Sequence, residues 1–572
     1  MMITTKLLSS LISVRPESCP DSPALESQKI CRNESFSFQL AYKITDNSTH
    51  AQAFHVSITS DLPVSLYYIG CTPVLHTDLP CLEEKTSIGL YPDILIPRPS
   101  QPKIKRVQPG YANSPRFVED GPQPSLWAYH DSWQALWLAV NEDGEVIPAG
   151  IHMVRIDLFD NANQVFASHT LELEVLNTEL SQQALMYTNW FHCDCLADYY
   201  NVPVFSQQFF EIFADYVHKA ARNGMNMILL PAFTPALDTP VGGERMTVQL
   251  VKIRKDPQGY HFDFSLMKKY MDICQENGIR YFEHAHLFTQ WGAAAAPKIV
   301  VSEDGAEKRL FGWDTPTDGE AYREFLRAYI PALRQFLRQE GLEEKTLFHI
   351  SDEPNQANLP TYQAALEGVR DLLKGCMVGD ALSEYEYYEK GIVQTPIVAL
   401  FRIQDFLGRC DNLWAYYIGS GLDLRERSSN RLIQISRQRN RMLGTQLYYH
   451  KIKGFLHWGY NYYYGELSQG IYEPALNPCG GFPGAATSFF VYPARDGTAY
   501  QSVRQKIFSE GLQDQRALEL LEKLAGRAEC EKLLQQFYGD VSFTHAPDSP
   551  ETMLEFRQAV MAAIQENLSP TK

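Results

Sequence analysis

Two adjacent carboxylates, Asp352 and Glu353, stand near the end of the stretch Leu347-Phe-His-Ile-Ser-Asp-Glu-Pro-Asn355. Leu347 to Ile350 read as a short buried strand, and Pro354, which cannot donate to a sheet ladder, bounds it. Two acids side by side repel when both ionise, so one holds its proton near neutral pH. A general acid beside a charged stabiliser is the equipment of glycoside cleavage. The competing reading is a loop whose carboxylates cap the following helix. What else the fold brings to the same place decides between them.

Other groups with chemistry to offer fall at the ends of apolar runs. They are Trp190-Phe-His-Cys-Asp194, Glu283-His-Ala-His286, Asp380, Trp414-Ala-Tyr-Tyr417 and His457-Trp-Gly-Tyr-Asn461. Aromatic faces stack on the C–H faces of a sugar ring, while Asn, His and carboxylates satisfy its hydroxyls. The candidates for binding substrate are therefore Trp190, His192, His284, His286, Asn355, Asp380, Trp414, Trp458, Tyr460 and Asn461. A rival signal is His284-x-His286, which places two imidazoles on one face of a strand and, with Asp380 or Glu353, could bind a metal. No second His pair accompanies it, so no metal or cofactor is expected. Cys193-x-Cys195, also without a second pair, reads as core thiols. Fingerprints for a serine nucleophile, a phosphate loop or a dinucleotide are absent.

The elements that must position these groups follow from hydrophobic periodicity. After residue 180, strands over Leu185–Phe191, Met225–Leu230, Arg280–His286, Leu347–Ser351, Cys376–Ala381, Pro396–Leu400, Leu413–Ile418 and Gly454–Trp458 alternate with amphipathic helices. The helices include Gln207–Asn223, Ser265–Asn277, Gly319–Gln339, Tyr362–Leu373 and Asn430–Tyr449. About eight such repeats predict a (β/α)8 barrel over 181–498, whose chemistry belongs at the carboxyl ends of its strands; a doubly wound open sheet is the alternative. Residues 1–180 alternate with period two, as in Phe36–Tyr42, Phe54–Ile58, Trp133–Val140, Gly150–Leu158 and His169–Val175, which predicts an antiparallel β-sandwich. Tyr91 to Pro124, rich in Pro and Gly, reads as a long irregular loop. Residues 499–572 read as a helical appendage on the barrel, with Gly511 interrupting one helix and Ser549-Pro550 starting another.

The 572 residues exceed one core, so this multidomain α and β reading fits the length. A net charge of −17 argues against nucleic acid or an anionic membrane as partner. No apolar run reaches the roughly 20 residues of a membrane span. Lys6 and the run Leu7 to Val14 read as a first strand rather than a signal peptide. Eleven irregularly spaced cysteines fit a reducing compartment, so the cytoplasm is expected.

At the strand-end residues the chain resembles a known group. Phe348-His-Ile-Ser-Asp-Glu-Pro354 and Lys451-Ile-Lys-Gly-Phe-Leu-His-Trp-Gly-Tyr-Asn461 are similar to motifs of the bacterial domain-of-unknown-function-4091 proteins and glycoside hydrolase family 123. Gly89–Asp93, Thr188–His192, Leu413–Tyr417 and Asn430–Ile433 also agree, so the likeness covers most of the chain. The resemblance implies a β-N-acetylgalactosaminidase working by substrate-assisted catalysis on an amino-sugar glycan. It makes Glu353 the general acid/base. It makes Asp352 the group that orients and charge-stabilises a 2-acetamido substituent, whose carbonyl oxygen attacks the anomeric carbon. A tyrosine, Tyr416 or Tyr417, would bond that acetamido group. The residues themselves agree, because adjacent acids lie too close in sequence to flank a sugar at the ~5 Å or more that ordinary pairs use. A metal-dependent hydrolase using His284 and His286, or a non-catalytic glycan-binding barrel, are the alternatives.

Overall fold

The period-two segments pair as their alternation demands. The computed structural model describes residues 3–45, 50–75, 88–98, 126–419 and 427–568. One sheet runs in the order Ile3–Ser9, Phe36–Ile44, Gln134–Val140, Val64–Val74 and Gly89–Pro97, then takes in Ala499–Ser502 and Val491–Pro493 from far along the chain. The facing sheet runs Ser27–Cys31, Val165–Leu176, Gly150–Phe159, Ala51–Thr59, Leu126–Tyr129. Inward side chains such as Leu7, Phe38, Leu40, Phe54, Val56, Leu138, Ile156 and Leu173 fill the space between. The pairing is antiparallel except where Val165–Leu176 meets Ser27–Cys31 in parallel.

One expectation for this region changes. Gly89–Pro97 is a strand, although it opens the stretch expected to be irregular; Pro92 is accommodated where the register shifts beside Cys71. The rest of that stretch, 99–124, lies outside the described residues.

After residue 180, eight parallel strands close into a barrel: β1 (Met186–Asn189), β2 (Met227–Leu230), β3 (Tyr281–His284), β4 (Thr346–Phe348), β5 (Met377–Leu382), β6 (Thr395–Ala399), β7 (Trp414–Tyr416) and β8 (Gly454–His457). Hydrogen bonds from β8 back to β1 close the ring. The helices Gln207–Arg222, Ser265–Glu276, Glu320–Gln339, Leu359–Val369 and Arg437–Tyr449 surround it. A small sheet that the sequence reading did not anticipate is built on the carboxyl-end loops after β2 and β3. Its strands lie in the order Gly259–Asp263, Lys252–Asp256, Ile299–Glu303, Ala306–Phe311.

The C-terminal region is helical, but it holds three helices, Val503–Ala525, Arg527–Phe537 and Pro550–Asn567. They pack with Tyr67, Leu95 and Trp137 of the N-terminal sheet, with Leu11 in the turn after its first strand, and with Met442 of the barrel's last helix. The tail therefore wedges between sheet and barrel instead of lying on the barrel alone. Buried ion pairs join the three parts: Arg441 with Glu510 at 2.9 Å and Asp514 at 2.7 Å, Arg504 with Asp93 at 3.0 Å, and Lys506 with Glu142 at 2.7 Å. Gly511 does not break its helix. A Cβ on Gly444 would stand 1.8 Å from the Gly511 carbonyl oxygen, and one on Gly511 would stand 2.5 Å from that of Arg441, so paired glycines let the two backbones cross closely. Among the described residues no helix is long and apolar enough to cross a membrane.

Candidate active site

Alternation along the barrel strands decides which side chains reach the interior. Met227, Leu229, Leu347, Ala381, Ile397, Ala399, Trp414, Tyr416 and Leu456 form one buried cluster with Trp190, and the half-buried Met186 packs against it. Their neighbours Phe282, Phe348, Val398, Ala415, Tyr417 and Phe455 belong instead to the core shared with the helices. Above the apolar floor, the next inward layer is polar.

Its centre is His349, which follows β4 and is fully buried. Its Nε2 donates to Glu283 Oε2 of β3 at 3.0 Å, and the same oxygen accepts from the Trp190 indole at 2.9 Å. On the other side, His349 Nδ1 lies 3.4 Å from Asp380 Oδ1 of β5, an ion-pair contact longer than the bond to Glu283. Asp380 also accepts from the Ile350 backbone at 2.9 Å and from Tyr362 at 2.5 Å. Burial pulls the imidazole pKa down, but Asp380 and Glu283 outweigh it and lift the value to about 10. Burial raises Asp380, against the opposing pull of His349 and Tyr362.

The acidic pair lies just beyond this layer, both residues half-buried. Burial and the adjacent Glu353 push the Asp352 carboxyl well above the usual range, while His349 pulls it the other way. One acid of the pair thus holds its proton readily, as adjacency predicts. Glu353 sits in the left-handed region at φ 45°, a conformation costing a non-glycine residue about 1–3 kcal/mol. Its Oε1 accepts from the Tyr416 hydroxyl at 2.6 Å. A residue that sequence reasoning missed, Trp291, donates its backbone N–H to the Asp352 carbonyl oxygen at 2.7 Å. Its own carbonyl accepts from Asn358 at 2.9 Å, and its indole is 43% exposed. Trp291 also has positive φ, at 60°, followed by Gly292 at 107°.

The structure gathers some of the expected site residues and disperses others. Tyr416 bonds Glu353 of the pair, while Trp190, His286 and Asp380 gather around His349, with His286 stacked on His349 at 4.5 Å and edge-on to Trp190 at 5.4 Å. Tyr417 faces away, against Phe455 and His457. His284 does not share a face with His286: its Nε2 meets the Tyr329 hydroxyl at 2.8 Å in the helix layer. Trp414 stands at the amino-terminal side of the barrel opposite Gly454, where a Cβ would come 2.0 Å from its ring, so it is floor packing. Tyr460 also points outward, packing on Phe191 and bonding the Tyr216 carbonyl at 3.2 Å. Asp380, with both oxygens engaged, braces β4 and does not offer itself to a ligand. Asn355 is exposed and caps the turn Gln356–Asn358.

His192 and Asn461 bind each other across the β1 and β8 ends: Asn461 accepts from the His192 N–H at 2.8 Å and donates to its carbonyl at 3.1 Å. The His192 ring donates to the Trp458 carbonyl at 2.8 Å and accepts from Arg245 at 3.3 Å; burial and that cation depress its pKa to about 4. His192 therefore positions Trp458, which remains half-buried at the rim beside Tyr462 and Phe482. Arg245 is held by a buried two-pronged pair with Asp194 at 2.8 and 2.9 Å. Arg245 carried no motif, and only its placement reveals it; Glu283 stood in the Glu283-His-Ala-His286 strand end but was not singled out as a site residue.

A metal fits poorly. Ligand atoms of His286, His349 and Asp380 come within 4.8 Å of one another, so this trio, and not His284 with His286, could converge on a cation. A metal ligand must be a deprotonated imidazole. A cation here would have to strip a proton that Glu283 and Asp380 hold on His349, and would compete for Asp380 oxygens already bonded to Ile350 and Tyr362.

Comparison with known proteins places this arrangement. A comparison with curated proteins gave no match. Among solved structures, a family 123 glycoside hydrolase from Clostridium perfringens, described in terms of glycolipid glycan hydrolysis, superposes with a TM-score of 0.68 at 13% identity, covering 99% of this chain and 98% of that one. The likeness shows a shared fold. A β-glucuronidase from Parabacteroides merdae reaches only 0.31 at 11% identity, covering 84% and 51% of the two chains. The family model for the catalytic domain of glycoside hydrolase 123 matches residues 190–521. That match takes in the whole strand-end layer and more than half of the chain, which therefore belongs to glycoside hydrolase family 123 and is a glycosidase.

Proposed function

We propose that this glycosidase removes a β-linked 2-acetamido sugar, N-acetylgalactosamine, with retention and with the substrate's own acetamido group as nucleophile. The observation that carries the reading is the adjacency of Asp352 and Glu353 at the carboxyl end of β4, with Tyr416 bonded to Glu353. An acid and a nucleophile on opposite sides of a glycosidic bond stand ~5 Å or more apart. Neighbours in sequence on one strand end are poorly disposed for that geometry, and a nucleophile supplied by the substrate removes the need for it.

In the first step Glu353 gives its proton to the departing oxygen as the acetamido carbonyl oxygen bonds to the anomeric carbon. The resulting oxazolinium-like ring is cationic. Burial and Glu353 hold the Asp352 carboxyl well above the usual range in the free fold, and the developing positive charge beside it favours its ionised form, which supplies the charge stabilisation. In the second step Glu353 takes a proton from water, which opens the ring with net retention. Tyr416 is the tyrosine that lies within reach of the pair and is our candidate for bonding the acetamido group. Trp458 and Trp190 supply aromatic surface at the rim and in the interior. The Clostridium perfringens enzyme's action on glycolipid glycans makes such glycans a sensible first trial.

The test is a panel of aryl glycosides. The 2-acetamido galactoside should turn over, the plain galactoside should be nearly inert, and a thiazoline mimic of the bicyclic intermediate should inhibit strongly. Equal rates on 2-hydroxy and 2-acetamido substrates would remove substrate assistance from the mechanism.

A further inference from the structure

A single exposed aromatic side chain is ordinary on a protein surface. Trp291 is not ordinary, because its indole is 43% exposed while its backbone is clamped from both sides. Its N–H donates to the Asp352 carbonyl oxygen at 2.7 Å, and its carbonyl accepts from Asn358 at 2.9 Å. The next two N–H groups, of Gly292 and Ala293, donate to the Ser351 hydroxyl at 3.3 and 3.0 Å. Just before it, the buried Gln290 side chain accepts from the Asp238 N–H at 2.6 Å and donates to the Thr239 carbonyl at 2.8 Å. Residue 291 is thus fixed between the loop after β2 and the loop after β4. These bonds hold it at φ 60°, a left-handed conformation that suits glycine and is costly for a bulky side chain. Strain of this kind persists where the surroundings over-determine it, and it is found at ligand clamps.

The contacts continue around the mouth of the barrel. The Tyr462 hydroxyl donates to the Asp238 carboxylate, Ser468 donates to the Asp238 carbonyl at 2.7 Å, and Tyr462 packs on Trp458 at 5.3 Å. Trp291 therefore belongs to the rim that runs from Trp458 to the acidic pair. Trp190, by contrast, is 3% exposed and bonded to Glu283 in the inner polar layer. One tryptophan lies at the depth of the sugar being cut off, and the other stands farther out, where the rest of the substrate must lie.

We propose that the Trp291 indole is the platform for the leaving group, stacking on the apolar C–H face of a second sugar ring whose glycosidic oxygen takes the proton from Glu353. The inference rests on the reading of Glu353 as that acid. The anchor places the platform: the bond to the Asp352 carbonyl roots Trp291 beside the peptide that joins Asp352 to Glu353. An indole offers a flat apolar face to ring C–H groups, and its N–H can meet a hydroxyl at the ring's edge. Trp291 is in this view a specificity-determining residue for what is attached to the sugar that is removed.

The test compares two substrates of the full-length protein that share the terminal 2-acetamido galactose. One is a disaccharide with that sugar β-linked to a second hexose; the other is its glycosyl fluoride, whose one-atom leaving group needs no platform. Trp291→Gly deletes the indole and suits φ 60°, so the loop has no added strain, and Trp291→Phe keeps an aromatic face. Trp291→Gly should lose about ten-fold or more in kcat/KM on the disaccharide, the scale of an aromatic anchor, and leave the fluoride unchanged. Trp291→Phe should keep most of the disaccharide activity. Equal losses on both substrates would show that residue 291 only braces the acidic pair, and would overturn the proposal. So would an unchanged disaccharide, a Phe variant as poor as the Gly variant, or a loss confined to aryl or lipid leaving groups. Glu353→Gln run alongside separates the two readings. Full activity on the disaccharide there would sink the role of Glu353, and the contrast between disaccharide and fluoride would still decide that of Trp291.

Discussion

The two carboxylates have different jobs in the proposed mechanism, and a leaving-group comparison separates them. In Glu353→Gln the amide oxygen can still accept from the Tyr416 hydroxyl, which lies 2.6 Å from Oε1 in the wild type, so the site's geometry should survive the loss of the proton. General acid catalysis is worth about 10²–10⁴-fold. That full loss is expected on glycans, whose alcohols leave poorly, and little of it on formation of the intermediate from a nitrophenyl glycoside. Asp352→Asn removes charge stabilisation whatever leaves. Two unit charges about 4 Å apart interact by about 1 kcal/mol in water and about 4 kcal/mol in the environment of a protein surface. Asp352 is only half-buried, so about 4 kcal/mol is the upper bound, and the expected loss is about 10–10³-fold on both substrate types. The assay is single-turnover kinetics on matched good and poor leaving groups for wild type and both variants. If both variants lose the same factor on every substrate, the division of labour is wrong. If neither loses more than a few-fold, the pair is a helix cap and the chemistry lies elsewhere.

Tyr416→Phe should cut kcat/KM by about ten-fold or more, the scale of one hydrogen bond to a charged group, whereas Tyr417→Phe, on the opposite face of β7, should leave kcat/KM nearly unchanged; equal losses would refute the assignment. Chelator should leave activity intact, and elemental analysis should find no stoichiometric metal; activity lost to chelator and restored by metal would revive the His286–His349–Asp380 trio as a ligand set. Gly454→Ala places a Cβ against the Trp414 ring, and such overpacking should cost about 1–3 kcal/mol in denaturant unfolding; an unchanged midpoint would show that the barrel floor yields. His349 is lifted to about 10 in the fold against an ordinary value of about 6.5. Its protonation therefore adds stability that is fully present below about pH 6.5 and is lost as pH rises toward about 10. The stability gap between wild type and His349→Gln should shrink over that interval, and a gap that widens with pH would reverse the sign.

The barrel strands were legible because parallel strands buried on both faces are short apolar runs, and each ends where polarity resumes. Each of the eight observed strands overlaps a segment read from the sequence; five lie wholly within it, and three reach one residue beyond, at Thr346, Leu382 and Thr395. Which way a side chain points was less legible, since it depends on where alternation starts. Trp414 opens β7 while Tyr416 closes it, so the two face the same interior at opposite depths, and only the second reaches Glu353. His284 and His286 look like a same-face pair, but the strand ends at His284, so its alternation does not extend to His286. Gly511 reads as a helix interruption because its partner, Gly444, lies in another helix. Residues 527–537 show a weak apolar stripe, and their helix owes its place to Cys530, Leu533 and Leu534 packing into the tail's core. Buried charges were the least legible. The partners of Arg245, Glu283 and Arg504 are 51, 66 and 411 residues away in sequence, and no local pattern marks an ion pair that only the fold assembles.

The barrel's closing seam explains why a catalytic ring carries so much additional structure. β1 and β8 come from opposite ends of the barrel's sequence and pair in parallel to close it, and their carboxyl ends must stay in register to place Trp190 and Trp458. The fully buried Arg431 spans that seam. It donates to Asn189 at the end of β1 at 2.9 Å, to His457 at the end of β8 at 2.6 Å and to the Thr487 carbonyl at 3.2 Å, with Phe490 beneath its guanidinium at 3.9 Å. Burial without a carboxylate lowers its pKa to about 10; the acceptors around its two terminal nitrogens offset that cost, while its Nε has no acceptor among the described residues. Arg504 supports this from the tail: it bonds the carbonyls of Arg431, Ala486 and Phe489 at 3.3, 3.1 and 3.1 Å and pairs with Asp93 of the N-terminal sheet. Sheet, tail and seam are therefore one polar network. Among the described residues the N-terminal sheet and the helical tail place no hydrogen bond on the acidic pair; what they hold, through Arg504 and Arg431, is the β1–β8 junction that carries Trp190 and Trp458.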